Sequence, residues 1–260
     1  MRILITSGGT KVKIDRVRDI TNMSNGTFGA KMAHVSLELG HRVCFFCAKR
    51  SCTPFSQNFD FYGSSDWEES EFHMSKDWAK AMSDLADLYN FCHKHHKQYT
   101  QPGFRNFDDY ETGLRLCLST FAPDIVILAA AVSDYGVTNF VDGKIRSTDN
   151  QQIDLHPLPK LINRIKQWHP NCFLVGFKLL LDASELELIV AARDSIRKNG
   201  CDLVVANNLA SLQQGDHQLI LVTPKNHVTF CRSQSVDPYY LAKMVVLTAT
   251  EMLCTTSYSA

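Results

Sequence analysis

Short apolar runs alternate with helical patterns along most of this chain. RILIT, residues 2–6, has the length of a buried strand. Phe28, Met32, Val35 and Leu39 then recur at helical spacing, which predicts a helix over 25–39 with Ser24 or Asn25 as its cap and Gly40 as its stop. HRVCFFC, 41–47, reads as a second buried strand, and strand, helix, strand opens a parallel α/β sheet. Residues 50–70 read as irregular, and helices are expected near 74–97 and 107–120. DIVILAAA, 124–131, is apolar throughout, as in a parallel strand covered on both faces. The polar stretch over 137–159 holds DG and DN pairs, which suit hairpin turns. After it come a short helix over 158–169, a strand over 172–180, a helix over 184–200 ending at Gly200, and a strand over 202–209. A hairpin follows across PKN at 224–226, and an apolar helix over 237–253 closes the series. The pattern predicts one doubly wound α/β domain over 1–260. Its sheet is mostly parallel and Rossmann-like, with helices on both faces and a protruding β-hairpin flap over about 136–158.

Composition narrows the partners. The chain has 260 residues, 45% of them hydrophobic, an ordinary globular content. Its 27 basic and 27 acidic residues cancel, so nothing global points to nucleic acid or an acidic membrane, and any anion binding must be local. No stretch reaches the roughly 20 apolar residues of a membrane span, and no signal peptide is read at the N-terminus. A cytoplasmic protein with reduced thiols is expected of its nine cysteines. Cys44 and Cys47 form a CxxC, but on a strand they point to opposite faces and read as core thiols. His93, His95 and His96 read as a solvated helix end. No metal-ligand set is expected.

The chemistry is concentrated in TSGGTKVKIDRVRDITNMSNGTFG, 6–29. A strand-to-helix connection usually takes about two to six residues, and this one is far longer. Gly8 and Gly9 allow a sharp turn and close approach to a ligand, and Gly26 and Gly29 do so at the helix start. With Ser24, Thr27, Lys11, Lys13, Arg16 and Arg18 the stretch suits a phosphate. It is neither a Walker A motif nor GxGxxG. In an open α/β sheet, ligands sit beyond the carboxyl ends of the strands. Those ends carry SGGT, AAVSDY with Asp134, GFKLL, and ANN with Asn207, and they are expected to converge on one crevice. Lys144 and Arg146 lie in the flap.

The ordered set SGGT, ID-VR-ITN-S-G--G, AAVSDY, GKI, VGFKL and IRKN…DLVVAN resembles phosphopantothenoylcysteine synthetase, that is, phosphopantothenate–cysteine ligase. The resemblance runs from the first strand to the last parallel one and is weakest over about 50–115. It points to the stand-alone form without a flavin-binding decarboxylase domain. It implies that 4'-phosphopantothenate and L-cysteine are joined through an acyl-nucleotidyl intermediate, with release of nucleoside monophosphate and pyrophosphate. A nucleoside triphosphate with Mg²⁺ is implied as co-substrate. The ITN-S-G pattern and compact size favour CTP, with ATP as the alternative. A homodimer is implied, with the flap reaching the other subunit.

Carried onto this chain, the resemblance makes Asn22 the contact to the intermediate, with Arg18 before it and Lys144 as the flap lysine of the activation step. Ser24, Gly26 and Gly29, together with Gly8 and Gly9, match the nucleotide-phosphate loop. Ala130, Ala131 and Asp134 match positions holding phosphopantothenate or nucleotide. Phe177 and Asn207 match base and ribose contacts, and Lys198 a further nucleotide lysine. Asp194 stands where some bacterial members carry lysine. Two other readings stay open: an NAD(P)-dependent reductase, for which YYLAK at 239–243 has a Tyr-x-x-x-Lys spacing, and a non-catalytic nucleotide-binding subunit.

Overall fold

The computed structural model describes residues 1–55, 86–87, 89–147, 150–210, 217–233 and 238–257. Along the chain run β1 (Arg2–Ser7), β2 (Lys11–Lys13), β3 (Asp19–Thr21), α1 (Thr27–Glu38), β4 (Arg42–Ala48), β5 (Tyr99–Thr100), β6 (Gly103–Phe104), α2 (Phe107–Phe121) and β7 (Ile125–Leu128). Then follow β8 (Tyr135–Val137), β9 (Leu155–Pro157), α3 (Ile165–Trp168), β10 (Phe173–Leu180), α4 (Glu185–Asn199), β11 (Leu203–Asn208), β12 (His217–Val222), β13 (Val228–Ser233) and α5 (Tyr239–Ser257). Nine strands make one sheet in the order β13-β12-β11-β10-β7-β1-β4-β5, with β6 also on β4. β4, β1, β7, β10 and β11 are mutually parallel, while β12 and β13 join antiparallel. The chain steps outward from β1 to β4 and β5, then returns to the other side of β1 as β7. The strand order therefore reverses between β1 and β7, where open α/β sheets bind ligands.

Strand parity builds the two core layers. Ile3, Ile5, Val43, Phe45, Ile127, Val175 and Val205 pack on one face with α1 and α5. Leu4, Cys44, Phe46, Val126, Leu174 and Val204 pack on the other with α2 and α4. Both layers are continuous because side chains along a strand alternate faces and every central strand is apolar at both parities. Cys44 and Cys47 fall in different layers and both are buried, as read from their spacing.

Helix ends follow local chemistry. The Asn106 side chain caps α2 by accepting from Asp109 N at 2.8 Å. Ser184 and Glu187 close a capping box on α4, and Gly200 ends it at φ 68°. Each such cap contributes ~0.5–2 kcal/mol. α1 departs from expectation. It starts at Thr27 behind a left-handed Gly26, and Asn25 Oδ1 accepts from Thr27 N at 3.1 Å without capping the helix.

Three other expectations are corrected. The run over 124–131 yields a strand only at Ile125–Leu128, because the Thr6 hydroxyl takes the Ala130 amide (3.2 Å) and the backbone leaves the sheet. Of the helix expected near 74–97, the first part lies outside the described residues, as do residues 56–70 of the irregular stretch; a 3₁₀ turn, His96–Gln98, ends it. His95 is buried, its ring centroid 4.6 Å from that of Phe91 and its Nδ1 3.0 Å from Gln98 Oε1; only His93 and His96 are solvated. Phe91 and His95 are four residues apart and share a helix face, and that face turns inward. Among the described residues no helix is long and apolar enough to cross a membrane.

Candidate active site

The exits of β1 and β7 stay joined beyond the sheet. Ala131 N donates to Gly8 O (2.8 Å) and Thr10 N to Ala131 O (3.2 Å). Thr10 Oγ1 accepts from Ser133 N and lies 2.8 Å from Ser133 Oγ. The opening stretch is not one long loop, since β2 and β3 pair within it as a small antiparallel hairpin. That hairpin delivers Asn22, whose Nδ2 donates to Ala131 O at 2.9 Å, while Thr21 Oγ1 donates to Thr10 O at 3.0 Å. Between the hairpin and the start of the flap lies a cavity of about 270 Å³. Val12, Ile20 and Leu155 form its apolar wall, and Thr21, Asn22, Ser133 and Asp134 its polar one. Asp134 is paired with Lys160, both side chains being more than half exposed. Asn22, Ala131 and Asp134 thus come together, with Ala130 adjoining.

On the α1 side, Ser7 Oγ donates to Gly26 O at 2.9 Å. A Cβ on Gly29 would fall 2.7 Å from Ser7 Cβ, and one on Gly26 2.8 Å from Ser7 Oγ. The two glycines let the amino end of α1 press onto the end of β1, with Gly8 N 3.2 Å from where a Gly26 Cβ would stand. Gly9 and Ser24 lie in the same connection. The helix dipole then points its positive end at the crevice. Phe177 is half-buried beside it, its ring edge-on to Phe28 at 6.0 Å between centroids. Asn207 sits two strands from β1's neighbour, paired in register with Leu179 at the carboxyl end of β11. Asn208 holds the loop, donating to Ala183 O at 2.7 Å.

Arg18 and Lys144 belong to a separate junction. The Asp15 carboxylate is fully buried and accepts from Val17 N (2.7 Å), Arg18 N (2.6 Å), Ile145 N (3.1 Å) and Arg18 Nη1 (3.2 Å). Arg18 Nη2 donates to Ile145 O at 3.2 Å, so its guanidinium is spent on the loop and the flap. Burial pushes the Asp15 carboxyl up, but the Val17, Ile145 and Arg18 amides and the Arg18 charge outweigh it and hold it below the ordinary value. Lys144 is exposed, between two anchored neighbours. The flap's paired root is Tyr135–Val137 with Leu155–Pro157, and the part described beyond it folds down onto the loop.

Lys198 is not brought to the crevice within this chain. It is exposed in the last turn of α4, which feeds the start of β11, the opposite end of the sheet from the carboxyl edge. Asp194 pairs with Arg197 on the same helix. Tyr239, first of the Tyr-x-x-x-Lys spacing, gives its hydroxyl to Glu38 in the last turn of α1. Sequence reasoning missed Thr10, Ser133, Lys160 and Asp15. Thr10 and Ser133 had a signal, since both stand at strand exits already marked as polar. Asp15 had none, as it sits among basic residues and looks like surface charge.

Known proteins share this chain's sequence pattern and fold. The sequence model of the DNA/pantothenate metabolism flavoprotein C-terminal domain matches residues 1–62 and 114–250. The chain is 34% identical over 222 residues to the coenzyme A biosynthesis bifunctional protein CoaBC of Thermococcus kodakarensis, a match covering 85% of this chain but only 44% of that protein. It is 30% identical over 229 residues to the phosphopantothenate–cysteine ligase of Mus musculus, covering 81% of this chain and 73% of that one. A solved structure of a Cab2 variant in complex with phosphopantothenate-cysteine superposes with a TM-score of 0.78 at 25% identity, over 99% of this chain and 88% of the other. The chain belongs to the DNA/pantothenate metabolism flavoprotein C-terminal domain family and, within it, to the family of the phosphopantothenate–cysteine ligases.

Proposed function

We propose that this chain joins 4'-phosphopantothenate to L-cysteine through an acyl-nucleotidyl intermediate, with CTP as the nucleotide and ATP as the alternative. The observation that carries the reading is that Asn22 and Asp134 line one cavity at the reversal of strand order, with Asn22 bonded to Ala131 beside it. A carboxylate is a poor acyl donor because oxide would have to leave. Its attack on the α-phosphorus breaks the bond to pyrophosphate and forms an anhydride. The cysteine amine then attacks the carbonyl, nucleoside monophosphate leaves, and the amine proton goes to solvent.

In this reading the amino end of α1, with Gly26 and Gly29, takes the triphosphate, and Phe177 and Asn207 take base and ribose. Lys144 neutralises charge on the phosphates as pyrophosphate departs. Asn22 donates to the acyl phosphate without adding charge. Mg²⁺ enters with the nucleotide as part of that substrate, held chiefly by phosphate oxygens. Among the residues lining the cavity Asp134 is the carboxylate that fits a share in its shell. The same reading makes the protein a homodimer. Val17, Tyr135, Phe140, Ile153 and Leu155 expose apolar surface at the flap and the loop beneath it, which supports a second copy there.

Pyrophosphate release tests the reading, measured with phosphopantothenate and each Mg-nucleotide, before and after cysteine. Release that needs phosphopantothenate and rises with cysteine is the expected result, and the faster nucleotide fixes the base. No release with either nucleotide overturns it. Lys144→Gln should slow release by ~10²–10³, the scale of one lost transition-state donor.

A further inference from the structure

We infer that Asp15 is a positioning residue: its buried carboxylate fastens the flap to the opening loop and so sets where Lys144 stands. The catalytic part of this inference rests on the ligase reading; the fastening stands on geometry alone. Asp15 and Ile145 are 130 residues apart in the chain, yet the carboxylate takes the Ile145 amide at 3.1 Å. The two neighbours of Lys144 are both held. Arg16 N donates to Gly143 O at 2.9 Å on one side. On the other, Ile145 gives its amide to Asp15 and takes Arg18 Nη2 at its carbonyl. Val141 N donates to Ile14 O at 3.1 Å, extending the contact by another pair.

The Lys144 side chain is exposed between these held neighbours. A carboxylate serves here because it is acceptor-only. Its Oδ1 takes two loop amides, and its Oδ2 takes the flap amide and the guanidinium. An amide at the same place would turn a donor toward one of those pairs. The Asp15 carboxylate is the buried centre of this junction between the loop carrying Asn22 and the flap carrying Lys144, which the Arg18–Ile145 bond, the Arg16–Asp142 pair and two backbone bonds also span. A cation that must meet a developing charge loses on the order of 10²-fold in rate when misplaced by ~1 Å.

The test is a double-mutant cycle on pyrophosphate release, with Asp15→Asn, Lys144→Gln and the pair, each folded by thermal melt. Asp15→Asn should lower kcat by ~10–100-fold, with the KM for cysteine unmoved. On the Lys144→Gln background it should add less than about threefold, because the group it positions is already gone. Ile145→Pro removes the flap's donor and leaves Asp15 in place, and it should show the same loss and the same lack of additivity. That variant decides the matter if Asp15→Asn does not fold. Wild-type rates in either variant, or losses that multiply with Lys144→Gln, overturn the inference. A wild-type protein with no release at all overturns the ligase reading and Asp15's part in it. Backbone hydrogen exchange over 141–147 then still decides the fastening, which is refuted by equal protection in wild type and Asp15→Asn.

Discussion

Two carboxylates stand at the carboxyl edge of this sheet and are handled in opposite ways. Asp15 is sealed from water and meets backbone amides from two distant segments together with an arginine. Asp134 faces the cavity mouth, more than half exposed, with one lysine for company. A buried charge persists only when its hydrogen-bonding capacity is met, and removing a partner is then costly. An exposed pair is screened and contributes ~0–1 kcal/mol. In the proposed reading the difference separates a structural junction from a working surface. The first stays fixed, and the second exchanges partners when an anionic substrate arrives.

Substitutions at the mouth should change chemistry and spare the fold. The largest effect is expected at Asn22. Asn22→Asp puts a carboxylate against the Ala131 carbonyl, now 2.9 Å from the donating amide, and against the anionic intermediate. The coupling step should fall by ~10²–10³ while pyrophosphate release continues, so that the acyl nucleotide accumulates in rapid-quench samples. Coupling at the wild-type rate would take Asn22 out of the site.

Next in size is a pH effect at the junction. The folded Asp15 carboxyl lies below its ordinary value of 3.8. Its contribution to stability is therefore fully present above that value and lost as pH falls through the lower folded one. Glu185 and Glu187 are also held low, Glu185 chiefly by the Gln218 amide and Glu187 chiefly by the Ser184 amide. Only the difference between proteins isolates Asp15. Urea midpoints should decline with acid more steeply in wild type than in Asp15→Asn, and parallel declines would deny Asp15 that role.

The smallest effect on stability belongs to Lys160. Lys160→Gln should shift unfolding free energy by less than about 1 kcal/mol. Its KM for phosphopantothenate should rise, because Asp134 then faces an anionic substrate unneutralised. An unchanged KM would make the pair incidental.

The fold was largely legible because its signal is parity and period. Each central strand is apolar at both parities, and Ser184, Glu187 and Gly200 mark α4 at both ends. What escaped depends on partners far away in the chain. KVK and DIT are three residues long with one apolar position each, too short to show a period, so the hairpin that presents Asn22 was hidden within a polar connection. Asp15 is legible only once Ile145 is placed beside it. Lys198 shows the converse: a residue can match a pattern while topology puts it at the other end of the sheet. The resemblance named candidate residues, and the contacts among them are seen only in the folded structure.

The division of the core by strand parity has a practical side. Cys47 and Cys231 lie in the layer under α1 and α5, while Cys44, Cys117, Cys172 and Cys201 lie in the layer under α2 and α4. The chain therefore carries two sets of native reporters, one for each side of its sheet. A thiol reagent in mild denaturant, read by mass at each cysteine, would show which wall of the protein opens first, with no reporter residue introduced by mutation.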